Sequence, residues 1–247
     1  MQGLVTLDFG NSHPHAGLHA RKGNEWQLLK VVPLAELSLY LSQFELTPDN
    51  TSLVLCEVKA REEELMPLLQ QGYLLTRVKD YWRGTKFAGM PVNYAQTLGE
   101  DRLIEAYYCY KKNKIPTLII DAGTFVTMDV INESGFEGGY ILPGMQAYLE
   151  CFQKGEQLKH IDLIPQLSPD LPKETGVAMT GGYSAFGALA NNLIEQHQIR
   201  KVVLTGGSLA LWESFFDDSK PSLVVENDPH LIHSSLHYWF TTQIEPL

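Results

Sequence analysis

The chain has 247 residues, 44% of them hydrophobic, which is enough to bury a core in one large domain or two modest lobes. Its 29 acidic side chains outnumber 19 basic ones, for a formal net charge of -10, and no run of lysines or arginines forms a stripe for a nucleic-acid backbone. No nucleic-acid partner is therefore expected. The longest apolar stretches, such as Val202-Val203-Leu204, are strand-sized, and the N-terminus runs into a charged motif at Asp8 without a basic start, so neither a membrane span nor an export signal is expected. Cys56, Cys109 and Cys151 are widely spaced and odd in number, which argues against a disulfide framework or a structural zinc site and for a reducing cytoplasm.

In chain order, an apolar strand at Leu4 to Asp8 leads into Asp8-Phe9-Gly10-Asn11, and extended stretches at Gly17 to Ala20 and Trp26 to Val32 complete a three-stranded meander. A helix is expected over Leu34 to Phe44, a strand over Ser52 to Val58, a helix over Ala60 to Gln71 that Pro67 would kink or shorten, and a strand over Tyr73 to Val78. Trp82 to Thr97, punctuated by Gly84, Gly89 and Pro91, reads as a loop, and a helix from Asp101 to Lys111 would bridge two lobes.

The order then restarts. A strand at Thr117 to Asp121 enters Asp121-Ala122-Gly123-Thr124, a second strand at Phe125 to Ile131 leaves it, and a third lies around Tyr140 to Leu142. A helix containing Tyr148 to Phe152, a long helix from Ala178 to Gln196, a strand at Lys201 to Leu204 and helices near Leu209 to Phe216 and Leu231 to Phe240 follow. The economical reading is two copies of one β-rich α/β unit, with lobes at residues 1–113 and 114–247.

A strand that ends in Asp-x-Gly-polar and reverses tightly places backbone N–H groups and a short polar side chain at one corner, where they can cradle a phosphate. Gly10 would permit close approach and a positive φ, Asn11 and Ser12 would donate to phosphate oxygens, and Asp8 would hold Mg²⁺ directly or through water. The same four residues also compose an ordinary hairpin turn. A second copy at Asp121 to Thr124 would face the first across a cleft, where the two corners would clamp a triphosphate. Thr205-Gly206-Gly207, after a strand, would let a base and ribose lie close to the main chain, or serve as a strand-to-helix turn. His230, His233 and His237 share one helical face, but no supporting carboxylate or cysteine is evident beside them, so they read as covering the C-terminal helix; His13 and His15 would touch phosphates or be solvated.

These motifs, in this order, resemble the type III pantothenate kinase family: Asp8-Phe9-Gly10-Asn11-Ser12, Leu98-Gly99-Glu100-Asp101-Arg102, Asp121-Ala122-Gly123-Thr124 with Thr127 and Asp129, Gly138-Gly139-Tyr140-Ile141-Leu142-Pro143-Gly144, and Thr205-Gly206-Gly207. The resemblance runs over nearly the whole chain. It implies a duplicated ribonuclease H-like (actin-like ATPase) α/β fold with two lobes and a cleft between them. It implies an ATP-dependent kinase that converts pantothenate to 4'-phosphopantothenate, the first step of coenzyme A biosynthesis.

Carried over by residue, the resemblance puts ATP phosphates against Asp8 to His15 and Thr124, a monovalent cation such as K⁺ or NH4⁺ at Asp121, and pantothenate against Tyr94, Gly99, Glu100, Asp101 and Arg102. Asp101 would be the base that accepts the hydroxyl proton, and Arg102 would supply positive charge beside the acceptor. Thr175 would reach the pantothenate of a neighbouring subunit, which implies a homodimer. The family's threonine after Asp-x-Gly-Asn is replaced here by Ser12, followed by His13-Pro14-His15, and this altered loop bears on ATP affinity. Two other readings follow from the departures, a non-catalytic regulatory or binding member and a kinase for another small hydroxy acid.

Overall fold

The computed structural model describes residues 2–10, 13–23, 25–162, 171–216 and 222–245. They divide into two compact units, one of residues 1–114, 134–137 and 230–247, the other of residues 115–133 and 138–229.

In the first unit, β1 (Gly3–Phe9) runs antiparallel to β2 (His15–Lys22), which runs antiparallel to β3 (Glu25–Pro33). On its other side β1 is parallel to β4 (Thr51–Glu57), and β4 to β5 (Leu74–Arg77), giving a five-stranded sheet in the order β3-β2-β1-β4-β5. Because strand side chains alternate in direction, Val5, Leu7 and Phe9 leave one face of β1 while Leu4, Thr6 and Asp8 leave the other. The first set joins a core with Leu37 and Leu41 of α1 (Leu37–Gln43) and Leu65 and Leu68 of α2 (Glu62–Gln70). Pro67 lies inside α2 without breaking it. Beyond β5, the segment read as a loop forms a short hairpin of β6 (Lys86–Phe87) and β7 (Met90–Pro91), and then α3 (Glu100–Asn113) begins.

The second unit repeats the plan. Antiparallel β8 (Thr117–Ala122) and β9 (Phe125–Asn132), then β10 (Gly135–Pro143), with β11 (Lys201–Thr205) and β12 (Val224–Asn227) parallel on the far side of β8, give the order β10-β9-β8-β11-β12. Leu118, Ile120, Met128, Val202 and Leu204 form the core face, together with Ala190, Leu193 and Ile194 of α6 (Ser184–Gln196) and Trp212 of α7 (Leu209–Glu213). The same strand order occurring twice is the duplicated ribonuclease H-like topology that the family resemblance implies.

Four elements differ from expectation. The long helix over 178–196 is two helices, α5 (Thr175–Gly181) and α6, with the break at Gly182 and Tyr183. A Cβ on Gly182 would lie 2.4 Å from the Tyr148 hydroxyl of α4 (Met145–Glu150), so the glycine is there for packing. β10 is longer than the stretch around Tyr140, because Gly138 and Gly139 are strand residues: a Cβ on Gly139 would strike Met128 O at 2.1 Å and Asp129 Oδ1 at 2.3 Å. β12 has no strong apolar alternation and all its residues are exposed. The helix α3 lies entirely within the first unit, where it packs against the C-terminal helix α8 (Leu231–Trp239).

Candidate functional site

The first corner is built on the end of β1. Asp8 pairs with His15 across the hairpin and with Cys56 on β4, so its side chain shares a sheet face with Cys56. Gly10 follows, but without the positive φ expected of it, and a Cβ there would meet only the Asp8 carboxylate at 3.7 Å, an ordinary contact. Asn11 and Ser12 lie outside the described residues. His15 Nε2 stands 3.3 Å from Asp8 Oδ2. Burial, then His230 and His13, lower the pKa of His15, which favours its neutral imidazole.

The helix α3 brings its N-terminus to the same strand ends. Gly99 is its N-cap residue, and Glu100 and Asp101 lie in its first turn, where the positive end of the helix dipole favours carboxylates. Asp101 Oδ1 accepts from the backbone N–H of Arg102 at 2.8 Å, folding back over Gly99, where a Cβ would sit only 2.3 Å from that oxygen. The glycine of Gly-x-Asp-Arg therefore leaves the space that the carboxylate occupies. Burial raises the Asp101 pKa, against the lowering effects of the Arg102 N–H and its guanidinium. That is the direction a proton acceptor needs, since a carboxylate with raised pKa is a stronger base.

Glu100 accepts from the backbone N–H of Glu57 at 3.3 Å, and burial pushes its carboxyl up to about 7. Glu57 is held in turn by Arg77 at 2.8 Å and by Lys79. The buried Cys56 thiol registers the convergence: its pKa is raised by burial first, then by the charges of Asp8, Asp101, Glu100 and Glu105. Asp8 and Asp101 thus lie in one electrostatic neighbourhood at the carboxyl ends of β1 and β4.

Arg102 is buried, 5% exposed, and its guanidinium lies 5.2 Å from the centre of the Tyr94 ring and 5.7 Å from that of Phe136. Tyr94 and Phe136 meet edge to face at 5.7 Å. Tyr94 and Arg102 are therefore brought together, with Phe136 as a third member that no motif signalled. Its local signal is the neighbouring Gly135, at φ 107°, where a Cβ would clash with Pro91 O at 2.1 Å.

In the second unit, Asp121 pairs with Thr127 on β9 and Thr205 on β11, so these three and Asp129 share the face opposite the core. Gly206 adopts φ +85°, and a Cβ there would lie 2.5 Å from Asp121 Oδ1 and 2.7 Å from Ala122 C. Gly206 thus serves geometry, packing the β11 turn on the Asp121 carboxylate. Gly207 meets nothing within 4 Å and is the glycine open to a ligand. Gly144 donates its N–H to Thr124 O at 3.0 Å, and a Cβ there would strike Gly123 O at 2.4 Å, so the end of the Gly-Gly-Tyr-Ile-Leu-Pro-Gly segment is packed on the second corner. Thr124 is exposed at that corner. Thr175 is exposed at the first position of α5, with Glu174 capping the helix by accepting from the Gly176 and Val177 N–H groups.

Sequence reasoning missed the histidines' place. His233 and His237 do not merely cover α8; His233 is fully buried against His15 and Thr6, and His19 stacks on His237 at 4.8 Å. Among the described residues no group of three or more His, Cys, Asp or Glu side chains could hold a metal ion, and no helix is long and apolar enough to cross a membrane.

Comparisons with known proteins identify relatives of the chain and structures of similar fold. A relative from Geobacter sulfurreducens, named type III pantothenate kinase, is 31% identical over 84% of this chain and 88% of its own length. Among solved structures, one from Campylobacter jejuni, provisionally described as a Baf family transcriptional activator, superposes with a TM-score of 0.60 over 98% of this chain and 99% of its own, at 21% identity. Another, from Sinorhizobium meliloti and provisionally described as a 2-dehydro-3-deoxygalactonokinase, has a TM-score of 0.55 over 99% of this chain and all of its own, at 14% identity. Both support the fold alone. The family model described as type III pantothenate kinase matches residues 4–196, more than half of the chain, and the chain belongs to that family.

Proposed function

We propose that the protein transfers the γ-phosphoryl group of ATP to the primary hydroxyl of pantothenate, giving 4'-phosphopantothenate at the start of coenzyme A biosynthesis. The observation that carries this reading is the buried Asp101 carboxylate, of raised pKa, at the N-terminus of α3 beside Arg102. The hydroxyl must lose its proton as oxygen attacks phosphorus, and Asp101 accepts it. Arg102, backed by the faces of Tyr94 and Phe136, supplies positive charge to the acceptor's carboxylate, a desolvated setting in which a guanidinium is well suited to a planar anion. Gly99 and Glu100 shape the same pocket.

Phosphoryl transfer needs little covalent help from a protein, so alignment and charge neutralisation supply most of the rate. Asp8, Gly10, Asn11, Ser12 and Thr124 are the residues this reading assigns to the ATP phosphates. Mg²⁺ is usually held by one or two carboxylates, waters and the phosphates themselves, so a single carboxylate at a strand end, as at Asp8, fits it. When bound, the ion would neutralise charge on the β- and γ-phosphates. Asp121, oriented over Gly206, suits a monovalent cation, K⁺ or NH4⁺. The exposed Thr175 suits an acceptor site completed across a homodimer, and the three free cysteines suit the cytoplasm.

The test is ADP release with pantothenate, with and without K⁺, in the wild type and in Asp101→Asn. A loss in kcat of roughly 10²- to 10⁴-fold is expected from removing the base, with ATP affinity retained. Turnover unaffected by the substitution removes Asp101 from the mechanism. ATP binding without acceptor-dependent ADP release would favour a non-catalytic member of the family.

A further inference from the structure

A continuous line of side-chain contacts runs from the middle of the first sheet to the first corner. His19 Nε2 lies 3.1 Å from Thr6 Oγ1, Thr6 Oγ1 lies 2.8 Å from His233 Nδ1, His233 Nε2 lies 2.9 Å from His15 Nδ1, and His15 Nε2 lies 3.3 Å from Asp8 Oδ2. Thr6 and His233 are fully buried and His19 is 3% exposed. The line is built into the backbone as well. A Cβ at Gly17 would lie 2.6 Å from Thr6 Oγ1 and 2.8 Å from the His233 ring, so only glycine leaves room for both.

With Asp8 ionised, one set of hydrogens satisfies every contact in this line. A neutral imidazole carries one N–H, and a carboxylate only accepts. His15 must therefore carry its proton on Nε2 to meet Asp8, which makes its Nδ1 an acceptor. His233 must then donate from Nε2, and its Nδ1 accepts from the Thr6 hydroxyl. Thr6 Oγ1 in turn accepts from His19 Nε2–H. Each contact receives one hydrogen and no ring needs a second. The competing acceptor for the Thr6 hydroxyl, Gly17 O, is farther away at 3.2 Å, and choosing it would reverse His233 and put the proton of the last contact on Asp8 instead of His15. Burial lowers the pKa of His19 to about 3 and that of His233 well below the ordinary value, in keeping with neutral imidazoles.

We propose that His233, with Thr6 and His19 behind it, is a positioning residue for the reaction: through His15 it fixes the rotamer of the Asp8 carboxylate, so that a side chain of the C-terminal helix tunes the binding of MgATP at the first corner. This rests on the reading of Asp8 as the carboxylate on the phosphate side. A group held by a buried chain of donors is oriented before the ligand arrives, whereas an unsupported carboxylate must be ordered at the time of binding. The chain gives this corner a support drawn from another part of the sequence.

The test begins with the wild-type protein. Long-range ¹H–¹⁵N correlation of the histidine rings at neutral pH should show His15, His19 and His233 as neutral Nε2–H tautomers; a Nδ1–H tautomer at His15 or His233 overturns the proposal. Calorimetric titration with MgATP should then show affinity reduced about tenfold in His233→Leu, with pantothenate KM unmoved, and largely restored in His233→Gln, whose amide N–H₂ reaches the Nε2 position. Equal loss in the Leu and Gln variants, or unchanged MgATP affinity in both, overturns it. Asp8→Asn separates the two levels. If it leaves MgATP affinity unchanged, the assignment of Asp8 is at fault, whereas a large loss in Asp8→Asn with none in His233→Leu defeats the positioning proposal alone. Should His233→Leu fail to fold, the wild-type tautomers and the Gln variant decide.

Discussion

The two Asp-x-Gly corners share a strand order and a hairpin, yet they hold their carboxylates by different means. Asp8 is held by side chains: His15 touches it, His233 holds His15, and Gly10 beside it has room for a methyl group. Around Asp121 it is the backbone that comes close, with Gly206 at a positive φ beside its carboxylate and Gly144 packed on the following turn. A side-chain support can be altered without disturbing the chain path, whereas a backbone support is part of the path itself. Small changes beside Asp8 and Asp101 should therefore alter function at nearly constant stability, and changes at Gly206 should alter stability first.

The largest expected effect sharpens the functional side of that contrast. Gly99→Ala places a methyl group where the Asp101 carboxylate folds back, at 2.3 Å, and a carboxylate can swing away cheaply. A displacement of that size should lower kcat by about 100-fold while the melting temperature stays near wild type. A melting temperature that falls in step with kcat would break the contrast. Next, Gly206→Ala combines a positive φ with contacts of 2.5 Å, 2.7 Å and 2.8 Å, the last two to backbone atoms of Ala122 that cannot rotate away, and should cost about 2 kcal/mol in chemical denaturation. Gly10→Ala, at 3.7 Å from its nearest neighbour, should unfold at the same denaturant concentration as wild type.

Smaller effects probe the acceptor cluster. Tyr94→Ala removes one of the two rings that flank Arg102 and should raise the pantothenate KM about fivefold in steady-state kinetics, close to 1 kcal/mol, leaving the ATP KM alone. Glu100 bears on stability through pH. Its folded pKa of about 7 stands above its ordinary value of 4.5, so the folded state holds the proton more tightly than the unfolded state between those limits. Stability contributed by this group is therefore present at low pH and lost as pH rises from 4.5 to 7. Glu100→Gln keeps an acceptor for the Glu57 N–H and should flatten that part of the stability–pH curve, by roughly 1 kcal/mol once solvent screening is allowed for.

How much was legible in the sequence follows the same division. Features written in short-range pattern were readable: both meanders, the strand-end aspartates, the helix that opens at Glu100, and the acidic first turn of α2. Glycines announced themselves as special positions but not their reason. Gly10 lacks the expected φ, Gly206 has one that the nucleotide reading did not require, and Gly182 breaks a helix because Tyr148 lies against it. Side-chain networks were not readable, since His15 and His233 lie 218 residues apart and Thr6 and His233 lie 227 apart, and no local periodicity links them. Phe136 escaped for a similar reason: it meets Arg102 and Tyr94 only after β10 has brought it beside Val92.

The seat of α8 on β1 and β2 has a consequence for the order of synthesis. A ribosome releases β1 and β2 early and the residues of α8 late, so the sheet face that bears Thr6, Gly17 and His19 is made long before its cover exists. The second unit, complete by residue 229, can close its own core during that interval. The nascent chain should then acquire protease resistance in its later-made half first, and the earlier-made half should become resistant only once His233 has emerged.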